Sequence, residues 1–289
     1  MKTALTIAGS DPSGGAGIQA DLKTMTLNGV YAMSVITALT VQNTLGVSRV
    51  EPVTPALFRQ QLEAVLKDIP PDAVKIGMLP SREIGEELVR LLRQYGPAPV
   101  VVDPVMIATG GGRLMGEGME AFLKRELLPL AALATPNIPE AEALTGRSIR
   151  SEEEMEGAAE SLCRECGCAV LLKGGHSAGG ADDVLALQGR TLWLRGGRIA
   201  NPNSHGTGCT LSSAAAANLA KGFDLEESVR RAKDYVTGAL EAMLDLGAGR
   251  GPMNHAFDLR GRFTEEKKEE NTIRKETFGP GAGEGKEAE

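Results

Sequence analysis

The feature that most constrains the fold of this chain is a regular alternation of short aliphatic runs with longer, helix-like segments. The runs are four to six residues of Val, Ile, Leu and Ala, which is typical of buried strands, and most of the segments between them have helical periodicity. Such alternation predicts a parallel sheet with crossover helices, the α/β class. Aromatic residues make up only 3% of the chain. An aliphatic core of this kind suits strands that are covered on both faces.

The alternation places the elements along the chain as follows. The predicted strands are Ala4–Ala8, Ser34–Leu39, Ala73–Ile76, Val100–Asp103, Ala132–Thr135 and Ala169–Lys173. The predicted helices between them are Ala16–Leu27, Pro55–Leu66, Ser81–Gln94, Pro139–Leu144 and Glu152–Cys166. A hairpin of Asp183–Gln188 and Thr191–Leu194 is predicted around Gly189-Arg190, followed by helices at Thr207–Lys221 and Leu225–Leu244.

The domain organisation follows from a change in composition near the C-terminus. We predict one domain over residues 1–263, because the 289 residues suffice for one large α/β domain. Residues 264–289 are rich in Glu, Lys and Gly and almost free of apolar residues. Such a segment cannot bury enough surface to offset its conformational entropy, so we expect a disordered tail.

Charge and hydropathy limit the classes of partner. The formal net charge of −7 argues against a broadly basic nucleic-acid surface. The N-terminal residues lack the apolar stretch and cleavage site of a secretory signal. The most apolar window, Val30–Val41, contains Ser and Thr and is too short to span a bilayer. We therefore expect a cytoplasmic protein with no nucleic-acid or membrane partner.

Four cysteines are present, and without a secretory signal we expect them to be reduced. Cys163, Cys166 and Cys168 offer three ligands for zinc, with His176 as a conceivable fourth. We favour the alternative that they are small buried thiols at a helix–strand junction, because a second ligand pair at structural-zinc spacing is absent.

The segment His205-Gly-Thr-Gly-Cys-Thr210 precedes a helix rich in small residues. Two glycines at a helix N-terminus allow consecutive backbone N–H groups to face one anion, which the helix dipole also favours. The alternative is an ordinary glycine loop with Thr207 as N-cap, and the segment alone weights the two equally. Cys209 lies in the first turn, where we expect a lowered thiol pKa and a role as proton acceptor. It would otherwise be a small hydrophobic residue.

A second glycine-rich loop, Gly9–Gly17, follows the first predicted strand. It matches neither the dinucleotide fingerprint nor the P-loop. Ligands of open α/β sheets bind beyond the carboxyl ends of the strands, so this loop is placed to contact one. The helical pattern leaves open whether Asp21, in the next helix, faces the pocket or solvent.

Polar side chains also follow other predicted strands. Gln42 and Asn43 follow the second strand, and Asp103 ends the fourth. Carboxylates at buried strand ends need a partner or a metal, so Asp103 and Glu140 are candidate Mg²⁺ ligands. For Glu140 the alternative is stabilisation of a helix N-terminus.

At the end of a further strand, Lys173 directs a cation towards the same edge. His176, three residues later, has the alternative of a loop residue satisfied by the backbone.

Seven segments occur in an order that resembles the hydroxymethylpyrimidine/phosphomethylpyrimidine kinases of thiamine biosynthesis. They are GSDPSGGAGIQADLKT, ITALTVQNT, KIGML, VVDPVM, TPNIPEAEAL, LLKGGH and HGTGCTLSSA, and the resemblance covers residues 3–260. It implies a ribokinase-like, three-layer α/β/α fold with a mostly parallel sheet. It also implies ATP- and Mg²⁺-dependent phosphorylation of 4-amino-5-hydroxymethyl-2-methylpyrimidine and then of its monophosphate, by a homodimer.

The resemblance further implies a set of site residues. The pyrimidine pocket is lined by Gly9, Asp21, Gln42, Met78 and Val105. The anion hole is formed by Gly206, Thr207 and Gly208, with Cys209 as the base. Mg²⁺ and the phosphates are organised by Asp103, Asn137 and Glu140, and Lys173 approaches the nucleotide. The segment around His255 matches only loosely, which leaves its role open.

Two alternatives to this activity remain at the level of sequence. Some relatives with the Gly-Thr-Gly-Cys motif accept pyridoxal, whose ring also carries a hydroxymethyl group. A non-catalytic phosphate-binding regulatory protein is the other alternative, which retention of Cys209, Lys173 and the carboxylates disfavours. We expect residues 109–113, with three glycines and Arg113, to form a lid.

Overall fold

The structure is a computed structural model that describes residues 1–96, 98–106, 115–116, 118–175, 181–261 and 264. The chain divides into two units, Met1–Asp258 and Leu259–Glu289. In the described part of the second unit, the backbone N–H of Thr264 donates to the carbonyl of Gly261 at 3.0 Å. All elements described below belong to the first unit.

A sheet runs through the first unit and contains nine strands within the described residues, in the order β3-β2-β1-β4-β5-β6-β7-β8-β9. The strands are β1 (Thr3–Ser10), β2 (Tyr31–Asn43), β3 (Gly46–Pro52), β4 (Ala73–Ile76), β5 (Val100–Val102), β6 (Leu133–Ala134), β7 (Ala169–Leu172), β8 (Asp183–Leu187) and β9 (Arg190–Leu194). Neighbouring strands pair in parallel across β2, β1, β4, β5, β6 and β7. At the two edges of the sheet, β3, β8 and β9 pair antiparallel. The carboxyl ends of these six parallel strands therefore lie on one side of the sheet, around the end of β1.

Helices cover both faces of the sheet. They are α1 (Gly17–Leu27), α2 (Pro55–Asp68), α3 (Arg82–Tyr95), α4 (Met119–Phe122), α5 (Ile138–Thr145), α6 (Glu152–Cys166), α7 (Thr207–Ala220) and α8 (Leu225–Glu241). After α4 the chain continues through a π-helical turn, Leu123–Leu127, and a 3-10 turn, Leu128–Leu130. None of the described helices is long and apolar enough to cross a membrane.

Two hydrophobic clusters, one on each face, hold the layers together. One cluster joins α2, α3 and α6 to alternate strand residues such as Ile76 and Val102, and the other joins α1, α7 and α8 to residues such as Val101. Successive residues of β5 therefore belong to opposite cores, as the two-residue period of a strand requires. This is the three-layer arrangement predicted from the sequence.

Helix α7 packs against the middle strands of the sheet. Residues Ala214–Ala217 are fully buried, and their small side chains let the helix lie close to β1, β4 and β5. The N-terminus of α7 lies beside the carboxyl ends of the parallel strands, where Gly208 is close to Asp103.

The predicted strands and helices are all present, with shifts of a few residues at their ends. Two features were not predicted. Strand β2 extends to Asn43 and turns into β3, whose Gly, Pro and alternating polar residues lack an aliphatic run. The helical turns at residues 119–130 were also missed. The predicted lid at residues 109–113 lies outside the described residues.

Candidate active site

The two glycine-rich loops meet at the N-terminus of α7. Gly206 is the N-cap residue and has a φ of 85°, a left-handed conformation that favours glycine. A Cβ at this position would overlap the carbonyl oxygen of Gly15, so Gly206 also permits close approach of the first loop. No side chain among the described residues caps this helix, and the hydroxyl of Thr207 instead donates to Ser204 O at 2.7 Å. The alternative of Thr207 as N-cap is therefore wrong.

A buried ion pair lies against the first turn of α7. Lys173 Nζ is 2.8 Å from Asp103 Oδ1, which also accepts from the Thr135 hydroxyl at 3.0 Å. A Cβ built on Gly208 would be 3.2 Å from Lys173 Nζ and 3.4 Å from Asp103 Oδ2. Burial raises the pKa of Asp103, but the charges of Lys173 and Lys75 and the hydrogen bonds from Lys173 and Thr135 together outweigh burial, so the net pKa is lowered. The predicted anion hole thus lies directly beside a cation and a carboxylate.

Asn137 and Glu140 form a reciprocal cap on α5. Asn137 Oδ1 accepts from the backbone N–H of Glu140 at 2.9 Å, and Glu140 Oε2 accepts from that of Asn137 at 2.8 Å. Asn137 Oδ1 and Glu140 Oε2 each accept one hydrogen bond within this cap, which leaves further lone pairs on both side chains for a ligand. Burial raises the pKa of Glu140 to about 7, and the charge of Asp103 adds to the rise while Lys173 opposes it.

Cys209 is partly buried and lies in the first turn of α7. Burial raises the pKa of its thiol to about 11; Lys75 and a hydrogen bond from the Gly17 backbone oppose this rise, and Asp21 adds to it. The expected lowering of this pKa is therefore wrong, because the loss of solvation exceeds what the helix terminus and the nearby cation provide. The thiol is protonated at neutral pH.

Asp21 lies in a buried network beneath Cys209. Lys75 Nζ contacts both carboxylate oxygens at 2.8 and 2.9 Å, and both side chains are fully buried. The hydroxyls of Thr6 and Ser213 also donate to Asp21, at 2.5 and 2.6 Å. Every oxygen of Asp21 therefore has protein partners, and the structure does not place this carboxylate in open contact with a substrate.

The remaining predicted pocket residues lie around the ends of β1, β2, β4 and β5. A Cβ on Gly9 would lie 2.7 Å from Met78 Cε, so the glycine makes room for that side chain over the end of β1. The Thr37 hydroxyl fixes Met78 by donating to its carbonyl at 2.8 Å. Val105 is partly buried, and its N–H donates to Asp103 O at 2.8 Å. Gln42, in β2, contacts the ring of His205 beside the N-terminus of α7.

Residues 11–254, most of the chain, match the phosphomethylpyrimidine kinase family. The chain belongs to this family. It is 52% identical over 262 residues to the thiamine biosynthesis bifunctional protein ThiED of Geobacter sulfurreducens, with 89% of this chain covered. The chain spans about half of that protein, since 54% of its length is matched. It is 51% identical to the hydroxymethylpyrimidine/phosphomethylpyrimidine kinase of Rhizobium meliloti, covering 87% of this chain and 96% of that one.

Solved structures of phosphomethylpyrimidine kinase and of pyridoxal kinase share the fold. The crystal structure of phosphomethylpyrimidine kinase from Clostridium difficile matches with a TM-score of 0.74 and 46% identity, over 84% of this chain and all of that one. An ADP complex of Bacillus subtilis pyridoxal kinase matches with a TM-score of 0.81 and 36% identity, over 89% and 98%. These matches confirm the predicted ribokinase-like architecture and phosphotransferase class. The identity is higher to the pyrimidine kinases than to the pyridoxal kinase.

Within the family site, sequence reasoning missed the roles of Lys75 and Asp11. A lysine within the aliphatic run Ala73–Ile76 was an available signal, since a buried ammonium requires a partner. Asp11 accepts hydrogen bonds from Ser13, Gly15 and Ala16 and so organises the first glycine-rich loop. An aspartate followed by Pro-Ser-Gly-Gly is a turn signal that identifies such a residue.

The three other cysteines and His255 are buried. Cys163, Cys166 and Cys168 are free and buried, and burial raises the pKa of Cys168 to about 12. His176, the conceivable zinc partner, lies outside the described residues. His255 is buried with Nε2 3.1 Å from the Thr210 hydroxyl, and burial lowers its pKa to about 4.

Proposed function

We propose that this chain transfers the γ-phosphoryl group of ATP to the hydroxymethyl group of 4-amino-5-hydroxymethyl-2-methylpyrimidine, and then phosphorylates the resulting monophosphate. One observation carries the proposal beyond family membership. The N-terminus of α7 brings together Cys209, backbone N–H groups without a side-chain cap and the Lys173–Asp103 pair. Phosphoryl transfer needs such an arrangement of an anion cradle, a cation and a proton acceptor.

In the proposed reaction the substrate hydroxyl attacks the γ-phosphorus. A bond forms between the hydroxyl oxygen and this phosphorus, the bond to the β,γ-bridging oxygen breaks, and ADP leaves. The hydroxyl proton moves to Sγ of Cys209, which accepts it as thiolate. The backbone N–H groups of the predicted anion hole, Gly206, Thr207 and Gly208, stabilise the transferring oxygens, and Lys173 neutralises charge on the nucleotide. Lys75, beneath Cys209, favours the thiolate electrostatically.

The carboxylates beside the anion cradle fit a divalent cation. Burial raises the pKa of Glu140 to about 7, Lys173 opposes this rise and Asp103 adds to it, so a bound cation would stabilise the ionised carboxylate. Both side-chain donors to Asp103 contact Oδ1, while Oδ2 lies towards Gly208. Asp103 and Glu140 would hold Mg²⁺, directly or through water. Bound there, the ion would neutralise charge on the phosphates.

The nucleotide proposal is supported by the pyridoxal kinase of similar fold, which was solved as an ADP complex. We retain the predictions of a homodimer and of a cytoplasmic protein that acts on small molecules. Pyridoxal is the competing substrate, since that relative shares 36% of the sequence.

Initial rates of ADP release decide between the substrates. With ATP and Mg²⁺, we expect the pyrimidine to be used with a kcat/KM at least roughly 10²-fold above that for pyridoxal, because a site that binds the amino group rejects a ring without it. Mass spectrometry should detect the monophosphate and then the diphosphate. A higher kcat/KM for pyridoxal would replace the proposed substrate, and failure to phosphorylate either ring would favour the regulatory alternative.

A further inference from the structure

The side-chain amide of Gln42 is held at both of its ends. As placed, the amide nitrogen of Gln42 lies 3.0 Å from His205 Nε2, and its oxygen lies 3.2 Å from the hydroxyl oxygen of Thr40; a turn of the amide by 180° exchanges the two atoms. His205 Nε2 is also 3.2 Å from Asp11 Oδ2. Since oxygen and nitrogen of an amide are nearly isosteric, the chemistry of these partners decides which end is which.

Asp11 determines where a proton must be on His205. Burial raises the pKa of Asp11, but hydrogen bonds from His205, Ser13 and backbone N–H groups outweigh burial and hold it at about 2. The carboxylate is therefore ionised at neutral pH and only accepts hydrogen bonds. Its contact with His205 requires a hydrogen on Nε2, in either the neutral or the charged ring.

With that hydrogen in place, only one orientation of Gln42 is favourable. If the amide nitrogen faces His205, two N–H donors oppose each other at 3.0 Å. If the ring instead carries a lone pair at Nε2, that lone pair opposes the Asp11 carboxylate. When the amide oxygen faces His205, both contacts of Nε2 are attractive, because one N–H is shared between two acceptors.

Thr40 leads independently to the same orientation. Its hydroxyl has a single hydrogen, which it donates to the carbonyl oxygen of Ser10 at 2.7 Å. The Thr40 oxygen can then only accept from Gln42, so the amide nitrogen faces Thr40.

We propose that Thr40 and His205, the latter oriented by Asp11, lock the Gln42 amide in one orientation and thereby make it specific for an aminopyrimidine edge. The inference rests on the proposed function for the identity of the substrate. The locked amide retains one N–H and one oxygen lone pair for a ligand. A 4-aminopyrimidine offers the complementary amine donor and ring-nitrogen acceptor, whereas the 4-oxo analogue presents acceptor and donor in the reverse order.

The lock distinguishes this site from one with a freely rotating glutamine. A free amide would turn by 180° and bind the 4-oxo ring as well. In this chain the turned amide would place N–H against N–H at His205 and oxygen against oxygen at Thr40. Thr40 and His205 are therefore positioning residues that act on the substrate through Gln42.

Kinetic discrimination tests the lock. The measured quantity is the ratio of kcat/KM for the amino substrate to that for its 4-oxo analogue. We expect Thr40→Val, which keeps the shape but removes the acceptor, to lower this ratio roughly tenfold or more. His205→Phe should lower it by a similar factor, and Thr40→Ser, which keeps the hydroxyl, should preserve it. An unchanged ratio in both Thr40→Val and His205→Phe would overturn the lock.

A measurement without substrate separates the lock from the proposed function. In the free protein with labelled glutamine, the Gln42 amide protons should show nuclear Overhauser effects to the Thr40 side chain and none to the His205 ring. Effects to the ring instead would overturn the orientation, whatever the substrate is. If the orientation holds but wild-type protein phosphorylates neither pyrimidine, the proposed function fails and the lock stands. If Gln42→Leu leaves affinity for the amino substrate unchanged, the role in specificity is overturned.

Discussion

At the scale of single residues, Cys209 shows how burial can override local sequence chemistry. A thiol at a helix N-terminus was expected to ionise readily, yet burial raises its pKa to about 11 despite the nearby Lys75. The thiolate fraction at neutral pH is consequently small. As long as the pH is below the pKa, this fraction rises about tenfold for each unit by which the pH increases. A base of this kind works better as the pH rises.

For this reason we predict two kinetic effects at Cys209. Cys209→Ala should lower kcat roughly 10²-fold or more with little change in KM, because the group acts in the transition state. In the wild type, kcat should rise with pH between about 7 and 9.5, whereas the residual rate of the variant should not follow this rise. Steady-state kinetics across that range measures both, with Cys163→Ala as a control that keeps Cys209. Near-wild-type turnover in Cys209→Ala would exclude a role as base.

Lys75 and Asp21 give the second prediction at this scale. Lys75→Met should destabilise the protein by roughly 3–5 kcal/mol, because it leaves the fully buried Asp21 carboxylate without its cation. The double variant Lys75→Met, Asp21→Asn should recover part of this loss. Urea unfolding measures the free energies. Arg82→Ala, which breaks an exposed ion pair with Glu86, is the control and should change stability by less than about 1 kcal/mol. Equal effects of both single variants would contradict the role of burial.

At this scale, the sequence predicted site residues that follow a local pattern but not contacts between residues that are far apart along the chain. The residues that follow strands were predictable, because strand order and strand ends follow from local patterns. The contact of Gln42 with His205 joins positions 163 residues apart, and that of Lys75 with Asp21 joins positions 54 apart. Neither partner leaves a local signal at the other. The family resemblance named Gln42 and Asp21 but not the groups that hold them.

At the scale of elements, the same reasoning succeeded where a periodic apolar pattern exists. The bounds of β4 and α6 agree with the predicted ones, since β4 is an unbroken aliphatic run apart from Lys75 and α6 carries a Ser151 capping box. Strand β3 was missed because its pairing with β2 in an exposed hairpin depends on tertiary structure and not on its own apolar residues.

Two glycines inside helices give opposite predictions. Gly157 in α6 is exposed, and a Cβ there meets no atom within 4 Å, so Gly157→Ala should stabilise the protein by roughly 0.5–1 kcal/mol through helix propensity. A Cβ on the buried Gly85 in α3 would lie 2.5 Å from the ring of Phe122, which is itself buried. Gly85→Ala should therefore destabilise by roughly 1–3 kcal/mol through overpacking. Thermal and urea unfolding compare the pair, and stabilisation by both variants would contradict the packing of α3 on Phe122.

At the scale of the whole molecule, two boundaries fall shortly before the predicted end of the domain at residue 263. The family match ends at residue 254, and the first compact unit ends at Asp258. Every described group of the candidate site precedes both positions. From Thr264 onward the sequence has eight Glu against five Lys and Arg, and Ile273 and Phe278 are its only large apolar residues. Little in this stretch can be buried, and the division into a domain and a tail stays a prediction.

We predict that a chain ending at Phe263 keeps full kinase activity and cooperative unfolding. The opposing hypothesis is a docked helix, because Glu and Lys are strong helix formers and residues 265–276 are rich in both. A helix of about 12 residues is marginal in water without a packed face. If residues 265–276 pack on the domain as a helix, the full-length chain should therefore be more stable than the truncated one. Limited trypsin digestion distinguishes the hypotheses: rapid cleavage at Lys267 or Lys268, leaving a fully active fragment, supports a tail. Protection of these sites, or a lower melting temperature of the truncated chain, would show that residues 264–289 belong to the folded domain.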